Sequence, residues 1–380
     1  MLVGVVSDVS TPGPLVALSV LDLITVRQGQ STGDALAASI RLAQAADQLG
    51  YRRYWVAEHH NMAAVAATNP PVIIGLLASV TDRIRVGSGG VMLPNHAPLV
   101  IAEQFSLLEA AFAGRIDLGI GRAPGSDPVT SWALRTSAGR GDDDIAQFPD
   151  YVSDVIALLD GQGVTLQVQG RRYELKATPQ AMTSPTVWLL GSSDYSARLA
   201  GAKGLPYVFA HHFSGEGTAE ALALYRSSFR PSDLLAEPRT FLTVNAVVAE
   251  TTDLAHRLAR PNLLSMLALR TGQPLLAQRS VEDAEAADIA AQHLPLLHAM
   301  QSRWVIGAPR EAAAQLQQLA STFDVDEVMI NPVAGSFAAS PSDRAPAREE
   351  TLRLLAAELL GDDQSAELKG DYDRAEAAAG

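Results

Sequence analysis

Tyr54-Trp55-Val56-Ala57 is an apolar, strand-like run that stops abruptly on Glu58, His59, His60 and Asn61. A carboxylate and two imidazoles crowded at a strand end form a candidate proton-transfer site, because imidazole titrates near neutral pH. Neighbouring residues of an extended chain point to opposite sides, so one imidazole can face a cavity while the other packs behind it. Both His59 and His60 are therefore catalytic candidates; the competing explanation is a hydrogen-bonded structural pair. A metal centre of Glu58, His59 and His60 would lack the i, i+4 helical spacing of metalloprotease ligands, and no metal is expected.

Three further apolar runs end in polar or glycine-rich segments. Ile84 to Val86 leads into Gly87-Ser88-Gly89-Gly90, whose bare main chain lets a flat ring approach closely or forms a plain turn. Ile116 to Ile120 leads into Gly121-Arg122. The stretch Gly119-Ile120-Gly121-Arg122-Ala123-Pro124-Gly125 fails the spacing of a dinucleotide fingerprint, and Pro124 suits poorly the helix that should follow. Arg122 reads as a phosphate clamp, with a salt bridge to a nearby carboxylate as the alternative. Val187 to Leu190 leads into Gly191-Ser192-Ser193-Asp194-Tyr195-Ser196, where hydroxyls and free amides at a helix start can hold an anion or simply cap the helix. His211, His212 and Phe213 end a further run, as a substrate-facing group or a polar rim.

Groups gathered at several strand ends require an architecture that brings those ends together. Strand-like runs at 17–23, 53–57, 84–88, 116–120, 186–190, 206–210, 240–248 and 326–330 alternate with helical patterns, which predicts an α/β fold with a parallel sheet. Eight such strands close a (β/α)8 TIM barrel, whose strand C-termini share one face. Leu36, Ile40, Ala43 and Ala46 mark a crossover helix begun near Ser31 and Asp34 and ended by Gly50. Leu99, Ala102, Phe105, Leu108 and Phe112 mark another, ended by Gly114. Ser193 is placed to cap a third that runs to Gly204.

The connections 121–185 and about 250–325 are too long for simple crossovers and predict insertions after strands 4 and 7. The first carries the polar segment Gly139 to Asp144, a helix over Phe148 to Leu159 and a hairpin through Val164 to Leu175. The second carries Gly272-Gln273-Pro274 and an acidic, alanine-rich stretch at 281–292, a candidate mobile lid. Residues 1–14 are expected to form an N-terminal extension, 15–360 a single barrel domain, and 361–380 a flexible tail after a helix over Arg348 to Leu360.

Composition excludes other classes. A net charge of −13 without basic clusters argues against nucleic-acid binding. Lack of cysteine excludes disulfides, thiolate metal sites and cysteine nucleophiles. No run approaches the ~20 apolar residues of a membrane helix, and the start lacks a secretory pattern, so a cytoplasmic protein with no membrane partner is expected.

Together these residues resemble the bacterial luciferase-like flavin-dependent monooxygenases, (β/α)8 enzymes, from about Ala17 to Pro332. The likeness is strongest in Tyr54–Asn61, Arg85–Pro98 and Gly114–Gly125. Within the family it is similar to the subgroup typified by a monooxygenase of mensacarcin biosynthesis, an aromatic polyketide antibiotic pathway. The resemblance implies that His59 stands near the reactive edge of the flavin, with Glu58 and His60 completing the motif. It implies a non-prolyl cis peptide at Gly89 and Gly90 against the ring, a phosphate held by Arg122, and a cradle from Gly191, Ser192, Tyr195 and Ser196. His212 and Phe213 are expected on the substrate side. Luciferase has a reactive cysteine where this chain has Gly121, so that thiol chemistry does not carry over.

The expected activity is hydroxylation or epoxidation of a bulky organic substrate, such as an aromatic polyketide. Oxygen would add at C4a of reduced FMN (FMNH2), supplied by a separate flavin reductase, and the enzyme would be a homodimer. The alternatives are an F420-dependent dehydrogenase that moves hydride without oxygen, and a non-catalytic flavin-binding subunit.

Overall fold

A computed structural model describes residues 16–123, 126–136, 146–213 and 215–360. The expected extension over 1–14, the tail over 361–380, the segment Gly139–Asp144, Pro124 and Gly125 lie outside the described residues.

The strands in chain order are β1 (Ala17–Asp22), β2 (Arg53–Val56), β3 (Arg85–Ser88), β4 (Val91–Met92), β5 (Ile116–Gly121), β6 (Val164–Val168), β7 (Arg171–Leu175), β8 (Thr186–Gly191), β9 (Tyr207–Phe209), β10 (Thr240–Val248), β11 (Val305–Gly307) and β12 (Glu327–Pro332). Eight of them, β1, β2, β3, β5, β8, β9, β10 and β12, pair in parallel in that order, and β12 returns to β1. The sheet is thus a closed (β/α)8 barrel. Nine-residue β10 serves three neighbours in turn: its start pairs with β9, its middle with β12, and its end with β11, which lies outside the ring. At three residues β11 is too short to leave a pattern in the sequence.

The crossover helices form where capping and periodicity coincide. In the helix Thr32–Gln48, Ser31 and Asp34 make a reciprocal capping box, while Ala35, Leu42, Ala43 and Ala46 are buried against the sheet. The helix Pro98–Ala111 buries Ile101, Ala102, Phe105 and Leu108. Between β5 and β8 lie helices Pro128–Thr136 and Phe148–Leu159 and the exposed antiparallel hairpin β6–β7, the last two as the sequence indicates. Between β10 and β12 lie the helices Thr252–Arg270, Val281–Glu285, Leu294–Gln301 and Pro309–Phe323.

Inside the ring, residues two apart along each strand form layers, as the two-residue strand period requires. The lowest layer is polar. Arg53, 2% exposed, bonds Glu327 through Nε (2.6 Å) and Asp117 through Nη1 (2.8 Å), and Ser19 donates to Glu327. Above it Leu21, Trp55, Trp188, Val208, Phe241 and Met329 form an apolar plug. The Trp55 and Trp188 rings meet edge to face at 5.6 Å, and Arg53 lies 5.0 Å from the Trp188 ring. The plug closes the barrel from below, so access is confined to the C-terminal mouth.

Candidate active site

A cavity of about 510 Å3 opens above the plug. A more open depression of about 820 Å3 lies at the opposite end, around Arg226, Arg239 and Asp326. The C-terminal cavity is the candidate site because the strand ends with proton-transfer and anion-binding groups meet there. His59, Gly89, Gly90, Arg122, Gly191, Ser192, Ser196, His212 and Phe213 all line it. Glu58, His60 and Tyr195 do not.

His59 and His60 divide as alternation predicts. The His59 amide donates to Ala67 O, and its ring Nδ1 is buried without a hydrogen-bond partner. Burial pulls its pKa below 6.5, against the charge of Glu58, so the ring is neutral at pH 7. His60 turns away: its Nε2 lies 2.8 Å from Glu58 Oε1, and His96 Nε2 reaches the same oxygen at 2.8 Å. Met92 N donates to Glu58 Oε2. A carboxylate only accepts, so both imidazoles carry their proton on Nε2. Burial alone would raise the Glu58 pKa, but these hydrogen bonds and the His96 charge bring it to about 2. Glu58 is fully buried, and through Met92 it fixes one wall of the cavity.

The Gly89–Gly90 peptide is cis, as the resemblance implies. A Cβ on Gly90 would stand 2.8 Å from Gly119 O and 3.0 Å from the Leu190 side chain, so only bare main chain fits. One wall is thus flat backbone, suited to a planar ring.

At one end of the cavity, the Arg122 guanidinium lies 4.0 Å over the Tyr195 ring. Among the described residues no carboxylate pairs with it, which disfavours the salt-bridge explanation. The helix Asp194–Lys203 begins beside it, with Ser193 at the cap position making no side-chain cap bond. Its first amides remain available, as an anion requires. Gly191 is obligatory there, since a Cβ would collide with Ser196. A guanidinium beside a helix start is a group that can hold an anion.

His212 and His211 also point to opposite sides. His211 packs outside the ring, 5.3 Å from the Phe323 ring, whereas His212 Nδ1 bonds Thr243 Oγ1 at 2.9 Å. Burial, assisted by the charges of His211 and His59, pushes His212 down to about 4. Arg270 covers Phe213 at 4.7 Å.

Of the expected lid, only part reaches the cavity. Asn262, Met266, Leu269, Leu275 and Gln278 line it, but no residue of the acidic stretch 281–292 does. Gln278 is held by backbone hydrogen bonds to Val26 and Gln28, so this wall is fastened to the chain leaving β1.

The sequence reading missed Thr243, Asn245, Asn331 and Arg348, which line the cavity. Phe241, Thr243 and Asn245 alternate along β10, and polar residues at that period near a strand's C-terminal end were the available signal. Arg348 lies in a helix that begins at Pro346 and gives no such signal.

A (β/α)8 barrel with its catalytic candidates at the C-terminal mouth is an enzyme scaffold, and comparison with known proteins gives the class. The chain belongs to the luciferase-like monooxygenase family, which it matches over residues 16–325, and is an oxidoreductase. It is 42% identical over 314 residues to YvbT of Bacillus subtilis, covering 83% of this chain and 90% of that one. A luciferase-like monooxygenase of Escherichia coli K12 is 38% identical over 316 residues, covering 83% and 91%. Among solved structures, apo-MsnO8, the mensacarcin monooxygenase, is 33% identical with a TM-score of 0.77, covering 90% of this chain and 99% of that one.

Proposed function

We propose that this protein is a monooxygenase that uses reduced FMN and O2 to hydroxylate or epoxidise a bulky organic substrate. The observation that carries the proposal is one cavity that joins bare Gly89–Gly90 backbone to the anion cradle of Arg122 and the start of the helix Asp194–Lys203. The orphaned Nδ1 of His59 beside that wall favours a polar group bound there.

When bound, the reduced flavin supplies the oxygen-activating chemistry; the chain's own residues supply the rest. Arg122, held flat by Tyr195, and the hydroxyls of Ser192 and Ser196 take the phosphate. Gly89 and Gly90 support the ring face. Leu21, Leu190, Val208 and Met329 are apolar lining that would keep water from a ring bound in the cavity. His59, neutral at pH 7, gives or takes a proton at the cavity. Glu58 and His60 act from behind: Glu58 grips Met92, and His60 and His96 hold Glu58.

A hydride-transferring F420 enzyme would need basic residues along a longer anionic tail. Among the described residues lining the cavity, only Arg122 and Arg348 are permanently cationic. A non-catalytic flavin-binding subunit would have no use for His59 at the cavity. Val72, Leu76, Val100 and Leu107 stand exposed on neighbouring helices, an apolar surface that favours a homodimer. The substrate class of an aromatic polyketide in antibiotic biosynthesis, a separate reductase and a cytoplasmic setting complete the reading; among the described residues no helix is long and apolar enough to cross a membrane.

Anaerobic equilibrium titration with reduced FMN and with reduced F420 tests the cofactor. Preference for reduced FMN by about tenfold or more supports the proposal, a difference of about 1.4 kcal/mol. Preference for F420 would assign hydride transfer.

A further inference from the structure

Among the described residues, no Asp or Glu lines the cavity, although the protein carries a net charge of −13. Two guanidinium groups line it instead. Arg122 follows β5, and Arg348 stands over the ends of β1 and β12 on the far side of the ring. On the functional reading above, Arg122 is occupied by the cofactor phosphate. Arg348 remains.

Arg348 is rigidly held. Its Nε donates to Pro332 O at 2.7 Å and its Nη2 to Asp22 Oδ1 at 2.7 Å, and the side chain is 12% exposed. Asp22 is itself fully buried and accepts from Ile24 N (2.8 Å), Ser39 Oγ (2.6 Å) and Tyr54 OH (2.5 Å). With four donors, the carboxylate has no capacity for more and serves to fix the guanidinium. Nη1 makes no hydrogen bond with the described residues. Its hydrogens, with the second hydrogen on Nη2, leave a planar fork for a ligand. The cavity that Arg348 lines also carries the apolar side chains of Leu23, Met266, Leu275 and Val333, with Asn331 and Gln278 as further polar groups.

We propose that Arg348 is the substrate-reading residue of this cavity and that the substrate is an organic carboxylate with an apolar body. Two parallel N–H groups match the two oxygens of a carboxylate. A buried carboxylate is costly unless paired and hydrogen-bonded, so a preorganised fork among apolar walls favours an acid over its neutral analogue. The inference rests on the functional reading only in giving the Arg122 end to the cofactor.

Calorimetric titration of the full-length protein, with saturating oxidised FMN and without it, tests the idea. The probes are ω-phenylalkanoates from phenylacetate to 6-phenylhexanoate, each beside its primary amide. At one chain length or more, the acid should bind about tenfold or more tightly than its amide. The paired variant Asp22→Asn/Arg348→Met removes both buried charges together, which protects the fold, and should abolish the preference. Arg348→Lys, retaining charge without the fork, should restore part of it. Amides binding as well as acids at every length would overturn the proposal, as would a preference that survives in the paired variant. Loss of FMN affinity with the acid preference intact would assign Arg348 to the cofactor and also overturn it. These are equilibrium measurements without reductant or oxygen, so failure of the monooxygenase reading would appear separately, in the reduced-cofactor titrations.

Discussion

His212 Nδ1 lies 2.9 Å from Thr243 Oγ1, and that hydroxyl in turn donates to Phe209 O at 3.1 Å. With its one proton committed, the hydroxyl accepts from His212, which places the imidazole proton on Nδ1 and leaves Nε2 as an acceptor. Nitrogen-15 NMR of the histidine rings should show the Nδ1–H tautomer for His212, and a protonation midpoint well below the ordinary 6.5, near the value of about 4 that burial imposes. The unfolded chain then binds the extra proton between those two pH values, so stability falls as pH drops from 6.5 towards 4. The size of this loss is on the order of 3 kcal/mol. Denaturant titrations of His212→Phe across that window should show a shallower slope than the wild type; identical slopes would contradict it.

On the proposed function, Arg122 would contact the phosphate of the cofactor and not its ring. Arg122→Met should weaken FMN by about tenfold to a hundredfold, the worth of a charge-assisted hydrogen bond, and leave riboflavin affinity unchanged. Fluorescence titration with the two flavins makes the comparison. Equal losses for both would show that Arg122 shapes the cavity rather than reads an anion.

Glu58→Gln places an amide where three donors converge. The side-chain NH2 must face either the Met92 amide or the two imidazole Nε2 atoms, so either one contact becomes donor against donor or both rings must move their proton to Nδ1. The expected cost near neutral pH is about 2–3 kcal/mol by chemical denaturation. Because the Glu58 pKa is depressed from 4.5 to about 2, its contribution is present above 4.5 and lost as pH falls towards 2. The gap between wild type and variant should therefore narrow in that window.

The eight barrel strands were legible as apolar runs alternating with helical patterns, and five of those runs stop on a chemically loaded segment. His59, Arg122 and Ser192 sit at such stops. Resolving His59 from His60, and His212 from His211, required only the two-residue alternation of an extended chain, yet which member of each pair faces inward depends on register, which spacing alone leaves open. The role of His96 was hidden because it lies 38 residues from the carboxylate it binds. Arg348 was hidden for the same reason, since its partner Asp22 is 326 residues away. The three-residue strand β11 was too short to carry a pattern.

The central claim is tested most directly by mixing the anaerobic complex of protein and reduced FMN with oxygenated buffer in a stopped-flow spectrometer. The account predicts that oxygen is captured rapidly and that a transient spectrum, distinct from both reduced and oxidised flavin, persists before oxidised FMN and hydrogen peroxide appear. Reoxidation in a single step, at the rate of free reduced FMN and with immediate peroxide release, would contradict it.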